Sequence, residues 1–118
     1  MLLRVNAVPT DDFKAWIAAQ ARPPVESAAV HAGRDIFMNL ACATCHAVQG
    51  VSDGAFAPDL THLASRDTIA SGMVPLTRDN LRAWLNDPQA LKPGCNMPSL
   101  KLTGPELDAL SDYLLTLK

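Results

Sequence analysis

The sequence has no long hydrophobic run, no excess of basic residues and few aromatic side chains. No stretch approaches the roughly 18 consecutive apolar residues of a membrane-spanning helix, so we expect no membrane contact by this fragment and any anchor or leader outside it. A net charge of -2 leaves no basic surface for phosphate groups, which argues against nucleic acid as a partner. The 118 residues, 48% hydrophobic and 19% charged, have the size and composition of a small globular protein.

Cysteine and histidine are also scarce, at three residues each. Cys42 and Cys45 form a Cys-x-x-Cys pair, which leaves Cys95 without a disulfide partner. A zinc site would need a second pair of ligands, and Cys95, His31 and His62 stand in no paired spacing. A redox dithiol would need a βαβ context, whereas the runs around this pair predict helices. Both alternatives are therefore disfavoured.

The stretch that remains is Cys42-Ala43-Thr44-Cys45-His46. Each thiol of such a motif can add across one vinyl group of a porphyrin, and the histidine that follows can bring a ring nitrogen to the iron. We therefore predict one covalently bound haem c, held by Cys42 and Cys45, with His46 as an iron ligand. A buried haem would also enlarge the small core that a chain of this length can build.

The first 24 residues are predicted to lie outside the main domain. Residues 2–8 are rich in branched side chains and predict a short strand that ends at Pro9 and has no obvious mate. Thr10 is placed to cap a helix whose apolar residues recur at helical spacing. Pro23-Pro24 then forms a stiff connector, so we divide the chain into residues 1–24 and 25–118.

The main domain is predicted to be mainly α. Gly33 lies in the middle of an amphipathic helix that runs into the haem motif, where close packing of another helix would explain a glycine. Thr103-Gly104-Pro105-Glu106 is a capping box that begins the last, leucine-rich helix. The predicted segments are a helix over residues 27–41, one or two short helices over 61–72, an extended segment over 73–76, a helix over 78–86 capped by Thr77, and a stiff loop over 92–98.

The nature of the second iron ligand decides the function class, since a closed haem suits electron transfer and an open one suits catalysis or gas binding. The candidates are Met38, Met73, Met97, His31 and His62. Met38 lies one helical turn before Cys42 and so approaches the wrong side of the haem. Met97 lies far along the chain in a loop held by prolines, so it can reach the opposite face. Met97 is favoured, with His62 and Met73 left as alternatives.

Three more residues are predicted to surround the haem. The carbonyl group of Pro58 can accept a hydrogen bond from the second ring nitrogen of His46, although this proline can equally be a simple turn residue. Arg66 and Trp84 are candidate partners for the haem propionates, through a guanidinium and an indole N–H. Cys95 is interpreted as a small buried apolar residue.

Residues 28–118 resemble a class I cytochrome c. The resemblance rests on the spacing of Gly33 and Phe37 before the haem motif, on Ala57-Pro58-Asp59-Leu60-Thr61-His62, and on Met97-Pro98 before the last helix. It implies a fold of roughly three to five helices around one haem, with His46 and Met97 as axial ligands and Pro58 as the partner of His46. Ala57 stands where the family usually has glycine, so a slightly different loop is expected.

A narrower resemblance is to the cytochrome c domain fused to subunit II of some bacterial haem-copper oxidases. It is carried by residues 58–66, 68–72, 80–85 with 87–88, and 92–94. Residues 3–20 are similar to the last strand and helix of the dinuclear copper domain that precedes the cytochrome in those subunits. Met1 is then either an initiator or a former copper ligand.

This resemblance implies an electron carrier within a cytochrome c oxidase. The chain would take electrons from a respiratory donor, either another cytochrome or a quinol-oxidising complex, and pass them to the dinuclear copper domain of its own subunit. The expected location is the outer, periplasmic face of the bacterial cytoplasmic membrane, in a membrane-anchored subunit. The alternatives are a free-standing soluble cytochrome c serving another reductase, and an open-haem enzyme or gas sensor.

Overall fold

The computed structural model describes residues 5–24 and 30–118. The described residues form six α-helices, a short 3-10 helix and two small β-hairpins, so the mainly α class is confirmed. The helices are α1 (Thr10–Gln20), α2 (His31–Asn39), α3 (Cys42–Cys45), α4 (Arg78–Asn86), α5 (Pro88–Leu91) and α6 (Gly104–Leu114). The strands are β1 (Ala47–Val48), β2 (Ser52–Asp53), β3 (Thr68–Ile69) and β4 (Val74–Pro75), with the 3-10 helix at Leu63–Ser65.

The N-terminal extension is only partly as predicted. Residues 5–9 lie in no helix or strand, and residues 2–4 of the predicted strand lie outside the described residues. A strand needs a neighbour for its backbone groups, and the two hairpins of the described chain pair only with themselves. Thr10 is the first helical residue of α1 and makes no capping hydrogen bond, so its predicted role as a cap is wrong. Residues 25–29 also lie outside the described residues, and the division after residue 24 stays a prediction.

The core forms where α2 crosses α6. A Cβ atom added to Gly33 would lie 2.6 Å from Cβ of Tyr113 and would also overlap the backbone of Ala109. The expected helix against Gly33 is therefore α6. The rings of Phe37 and Tyr113 meet beside this crossing, with centroids 5.9 Å apart, and both side chains are almost fully buried.

α4 also packs against α6, and it begins and ends as predicted. The hydroxyl of Thr77 accepts a hydrogen bond from the backbone N–H of Asn80 at 3.2 Å and caps the helix. Beyond Asp87, however, the chain forms the short helix α5, which the sequence does not predict. Asp87 caps it by accepting from the N–H groups of Gln89 and Ala90, and Pro88 occupies its first turn.

The segment 61–72 is less helical than predicted. Within it only Leu63–Ser65 forms a helix, of the 3-10 type, and Thr68–Ile69 pairs with Val74–Pro75 as an antiparallel hairpin. The hairpin forms because Ala70, Ser71 and Gly72 all take positive φ, which ends any helix and reverses the chain. The extended segment over residues 73–76 is confirmed by β4. None of the described helices is both long and apolar enough to cross a membrane.

Candidate functional site

The haem motif is placed by a break after α2. The helix ends at Asn39 because Leu40 adopts an extended backbone, and the chain then makes the single turn α3 from Cys42 to Cys45. The N–H of His46 continues this turn by donating to the carbonyl oxygen of Cys42 at 2.8 Å. Both thiols and the imidazole are half-buried and lie on the wall of one cavity.

That cavity has a volume of about 780 Å³ and a mostly apolar wall. Its volume is within the range of about 300–1,000 Å³ that is typical of cofactor sites. Leu81 and Leu85 of α4 and Leu114 of α6 supply part of the wall from the domain core. All of the predicted site residues line it: Cys42, Cys45, His46, Pro58, Arg66, Trp84 and Met97.

The imidazole of His46 is oriented by a backbone carbonyl. Its Nδ1 atom lies 2.7 Å from the carbonyl oxygen of Pro58. A carbonyl oxygen can only accept, so Nδ1 carries the proton and Nε2 is left with its lone pair. An imidazole in this tautomer is suited to bind a metal through Nε2.

Of the five candidates for the second ligand, Met97 alone lines the cavity. Met38 and Met73 are 41% and 58% exposed, and His31 is exposed on α2. His62 lies in a different cleft beside α1, where its Nε2 atom is 3.1 Å from the carbonyl oxygen of Gln20. His46 and Met97 are thus the two candidate ligands that share one cavity.

The loop that carries Met97 is held by a residue that the sequence reasoning missed. The side-chain amide of Gln89 donates to the carbonyl oxygen of Cys95 at 2.7 Å, and its oxygen accepts from the N–H of Gly94 at 2.9 Å. Gly94 has a φ of 79°, which an L-residue rarely adopts. A glutamine one residue after a proline gives no local signal of this role, because its partners appear only when the loop folds back on α5.

The two predicted propionate partners differ in their surroundings. Arg66 is exposed and donates from its guanidinium to the carbonyl oxygen of Asp59. Trp84 is half-buried on α4. A second basic residue that the sequence reasoning missed, Lys92, donates to the hydroxyl of Ser71 at 2.8 Å and also lines the cavity. The cavity therefore has cationic groups at its edge and an apolar wall, which suits a flat apolar cofactor with anionic substituents.

The electrostatics of the cysteine thiols disfavour thiol–disulfide exchange. Burial raises the pKa of the Cys42 thiol, and the nearby Cys45 raises it further, which outweighs the lowering by a backbone hydrogen bond. A redox dithiol needs the opposite shift, because the thiolate is its nucleophile. Cys95 is half-buried on the cavity wall, and its sulfur accepts from the amide of Gln89 at 3.1 Å. It is less buried than predicted.

Comparison with known proteins shows which family the chain resembles. The family model described as cytochrome c matches residues 30–118. This range contains the haem motif, the cavity and every predicted site residue, and it leaves α1 outside.

Curated relatives match over the whole chain. It is 35% identical over 122 residues to cytochrome c oxidase subunit 2 of Alkalihalophilus pseudofirmus, and 34% and 31% identical over 126 residues to the proteins of that name from Bacillus sp. (strain PS3) and Bacillus subtilis. Each alignment covers 100% of this chain but 35% of the relative. The chain thus spans about a third of the length of these relatives.

Proposed function

Because the chain belongs to the cytochrome c family, a family of electron-transferring proteins with covalently bound c-type haem, we propose that it relays electrons through one six-coordinate haem to a terminal oxidase. When bound, the haem supplies an iron that changes between two oxidation states. Cys42 and Cys45 would hold the haem through thioether bonds, and His46 and Met97 would bind its iron.

The observation that carries this proposal is the single cavity shared by His46 and Met97. Two protein ligands would close the iron to water and small gases, so that the site exchanges electrons without bond chemistry. A thioether also favours ferrous iron and raises the reduction potential. Because the bond from iron to a thioether is weak, Met97 needs a fixed backbone, and the hydrogen bonds of Gln89 to the loop supply one.

The acceptor we propose is the dinuclear copper centre of the same, longer subunit, and the donor a respiratory cytochrome or quinol-oxidising complex. The relatives that cover the full chain are named as subunit 2 of an oxidase. Tethering of donor and acceptor domains in one subunit would replace diffusional encounter by a high effective concentration. The site would then lie on the outer face of the bacterial membrane, in a membrane-anchored subunit.

The surface of α1 supports this arrangement. The helix precedes the range of the cytochrome c match, yet the oxidase alignments include it. Its described side chains are all accessible, and Phe13, Trp16 and Ile17 are about half exposed on one side. We propose that residues 1–24 belong to the preceding copper domain and that Phe13 and Ile17 face it, whereas Trp16 lines the cleft that it shares with His62.

Spectroscopy of the haem-loaded protein tests the ligand assignment. The ferric wild type is expected to be low-spin with the weak sulfur-to-iron band, and Met97→Ala is expected to lose that band. Met73→Ala is the matched control, because Met73 is an exposed methionine outside the cavity, and it should leave the spectrum unchanged. Ready binding of carbon monoxide by the untreated ferrous wild type would contradict a six-coordinate carrier and favour an open haem.

The oxidase assignment has a separate test. In the full-length subunit, reduction of the copper centre by the haem is expected at a rate independent of protein concentration. A rate that rises in proportion to concentration would instead indicate a free-standing carrier that meets its acceptor by diffusion.

A further inference from the structure

Four hydrogen bonds join residues 45–49 to residues 57–61. We call residues 57–61 the strap. Two of the bonds are backbone bonds and two use a side chain. They link Ala57 N to Cys45 O (2.8 Å), His46 Nδ1 to Pro58 O (2.7 Å), Leu60 N to Ala47 O (2.8 Å) and Gln49 N to Thr61 Oγ1 (2.9 Å). The bond to His46 is thus one of a continuous series along the strap.

Thr61 closes the far end of this series. It is only 5% exposed, and its hydroxyl accepts from the backbone N–H of Gln49. Its own N–H donates to Oδ1 of Asp59 at 2.7 Å, which folds the strap into a tight turn directly after Pro58. Removal of a buried hydroxyl that accepts from a backbone N–H costs free energy, because the N–H is left without a partner.

The charge of Asp59 supports the turn. Burial alone would raise the pKa of its carboxyl, but the hydrogen bonds from Thr61 and the positive charge of Arg66 outweigh it and lower the pKa. The carboxylate is therefore available to accept from Thr61 at neutral pH. The guanidinium of Arg66 donates to the carbonyl oxygen of Asp59, the residue next to Pro58.

Pro58 cannot hold itself in place, because it has no N–H to donate. The direction of its carbonyl group depends on the bonds made by the residues on either side. Ala57 supplies the bond before it, and Leu60 and Thr61 supply the bonds after it.

We propose that Thr61 is a positioning residue that aims the carbonyl group of Pro58 at Nδ1 of His46 and thereby sets the electron donation of that imidazole. The proposal rests on the proposed role of His46 as an iron ligand. A strong bond at Nδ1 makes the imidazole a better donor, which stabilises ferric iron. Loss of the Thr61 hydroxyl would release the end of the strap, lengthen the bond and raise the reduction potential.

The test compares Thr61→Val, which keeps the shape and removes the hydroxyl, with Thr61→Ser, which keeps the hydroxyl. In the haem-loaded protein, hydrogen exchange of the His46 Nδ1–H is measured by nuclear magnetic resonance, together with the reduction potential. Thr61→Val is expected to exchange this proton about fivefold faster, which is equivalent to the loss of about 1 kcal/mol, the typical contribution of one hydrogen bond. Its reduction equilibrium is expected to shift about threefold toward ferrous iron. This raises the reduction potential by about 30 mV, since a tenfold shift corresponds to 59 mV for one electron. Thr61→Ser should match the wild type in both measurements.

Thr116→Val is the matched control. It also removes one threonine hydroxyl, which here follows α6 and donates to the backbone carbonyl oxygen of Tyr113, and Thr116 does not line the cavity. It should change neither the ring-proton exchange nor the potential. If Thr61→Val does not take up haem, Thr61→Ala and Thr61→Ser form a second pair, both lacking the methyl group and differing in the hydroxyl.

The outcomes separate this inference from the proposed function. A low-spin wild-type spectrum with unchanged exchange and potential in the hydroxyl-free variant overturns the role of Thr61 alone. A wild type without the low-spin, sulfur-ligated spectrum overturns the proposed function and this inference with it. Equal changes in Thr61→Val and Thr116→Val would also overturn the inference, since they would reflect general loosening.

Discussion

Gly33 lies at the closest approach of α2 and α6, where the structure leaves no room for a side chain. A glycine inside a helix lowers the stability of that helix by about 1 kcal/mol relative to alanine, but here it lets the backbones of the two helices come into contact. The haem motif follows α2 directly, so this contact also sets the position of the cysteines relative to the last helix.

We expect Gly33→Ala to destabilise the haem-loaded protein by about 1–3 kcal/mol, because the added methyl group would overlap Ala109 and Tyr113. Thermal unfolding followed by circular dichroism would measure it. Gly104→Ala is the matched control, since its Cβ atom would meet only Arg82 Nη2 at 3.7 Å, an ordinary contact. An equal loss of stability in both variants would contradict this account of Gly33.

At the scale of elements, α4 and α6 are joined along their solvent edge by ion pairs. Arg78 Nε lies 2.7 Å from Asp112 Oδ1, and Arg82 Nε lies 2.8 Å from Asp108 Oδ1. These side chains are between 39% and 50% exposed, so solvent screens them strongly. The buried leucines of the two helices therefore contribute most of the packing free energy: Leu81, Leu85, Leu107, Leu110 and Leu114.

The pair Arg78–Asp112 predicts a small, pH-dependent stabilisation. The hydrogen bond from Arg78 and its positive charge lower the pKa of the Asp112 carboxyl in the folded state, although burial opposes them. Because the folded pKa lies below the unfolded value of about 3.9, the contribution is complete above that value and is lost as the pH falls through the folded pKa.

Asp112→Asn should accordingly lower the free energy of unfolding by about 0.3–1 kcal/mol at pH 7, and the difference from wild type should shrink below about pH 4. Urea unfolding at several pH values would measure it. As a control, the difference at pH 7 should also shrink in 1 M salt, where the screening length is about 3 Å. A difference that stayed constant down to pH 2 would show that the carboxylate charge is not its cause.

At the scale of the whole molecule, α1 lies outside the range of the cytochrome c match, which contains the site. None of its described side chains is buried, and the carbonyl oxygen of Gln20 accepts a hydrogen bond from Nε2 of His62. The cavity draws its wall from residues 41–114 alone. The haem site should therefore not depend on the extension.

We expect a chain of residues 25–118 to take up haem with the same ferric spectrum as the full chain and to unfold within about 4 °C of it, which corresponds to about 1 kcal/mol or less in a domain of this size. Thermal unfolding and visible spectroscopy of both chains would check this. Failure of the shorter chain to bind haem would refute the division after residue 24. A gain in solubility would fit the removal of the exposed Phe13, Trp16 and Ile17.

Local patterns account for the helices that the sequence predicts well. Thr77 and Thr103 precede the first residues of α4 and α6, so that a short polar side chain stands before each apolar repeat. Glu106 accepts from the N–H of Thr103 at 2.8 Å, as the capping box requires. The mistakes fall where local pattern is ambiguous. No sequence feature of Ala70 and Ser71 demands positive φ, so the sequence predicts a helix where these residues form a hairpin.

The sequence by itself determined the cofactor chemistry, because two thiols and an imidazole at the spacing of Cys42, Cys45 and His46 are a local, covalent signal that needs no distant contact. It also favoured Met97, through the stiff prolines around it. Only the tertiary structure decided which methionine shares a cavity with His46, and which side chains hold the two loops there. Gln89 and Thr61 act through backbone groups that are distant in sequence or come into reach only after the chain turns, and no periodicity or motif records such contacts.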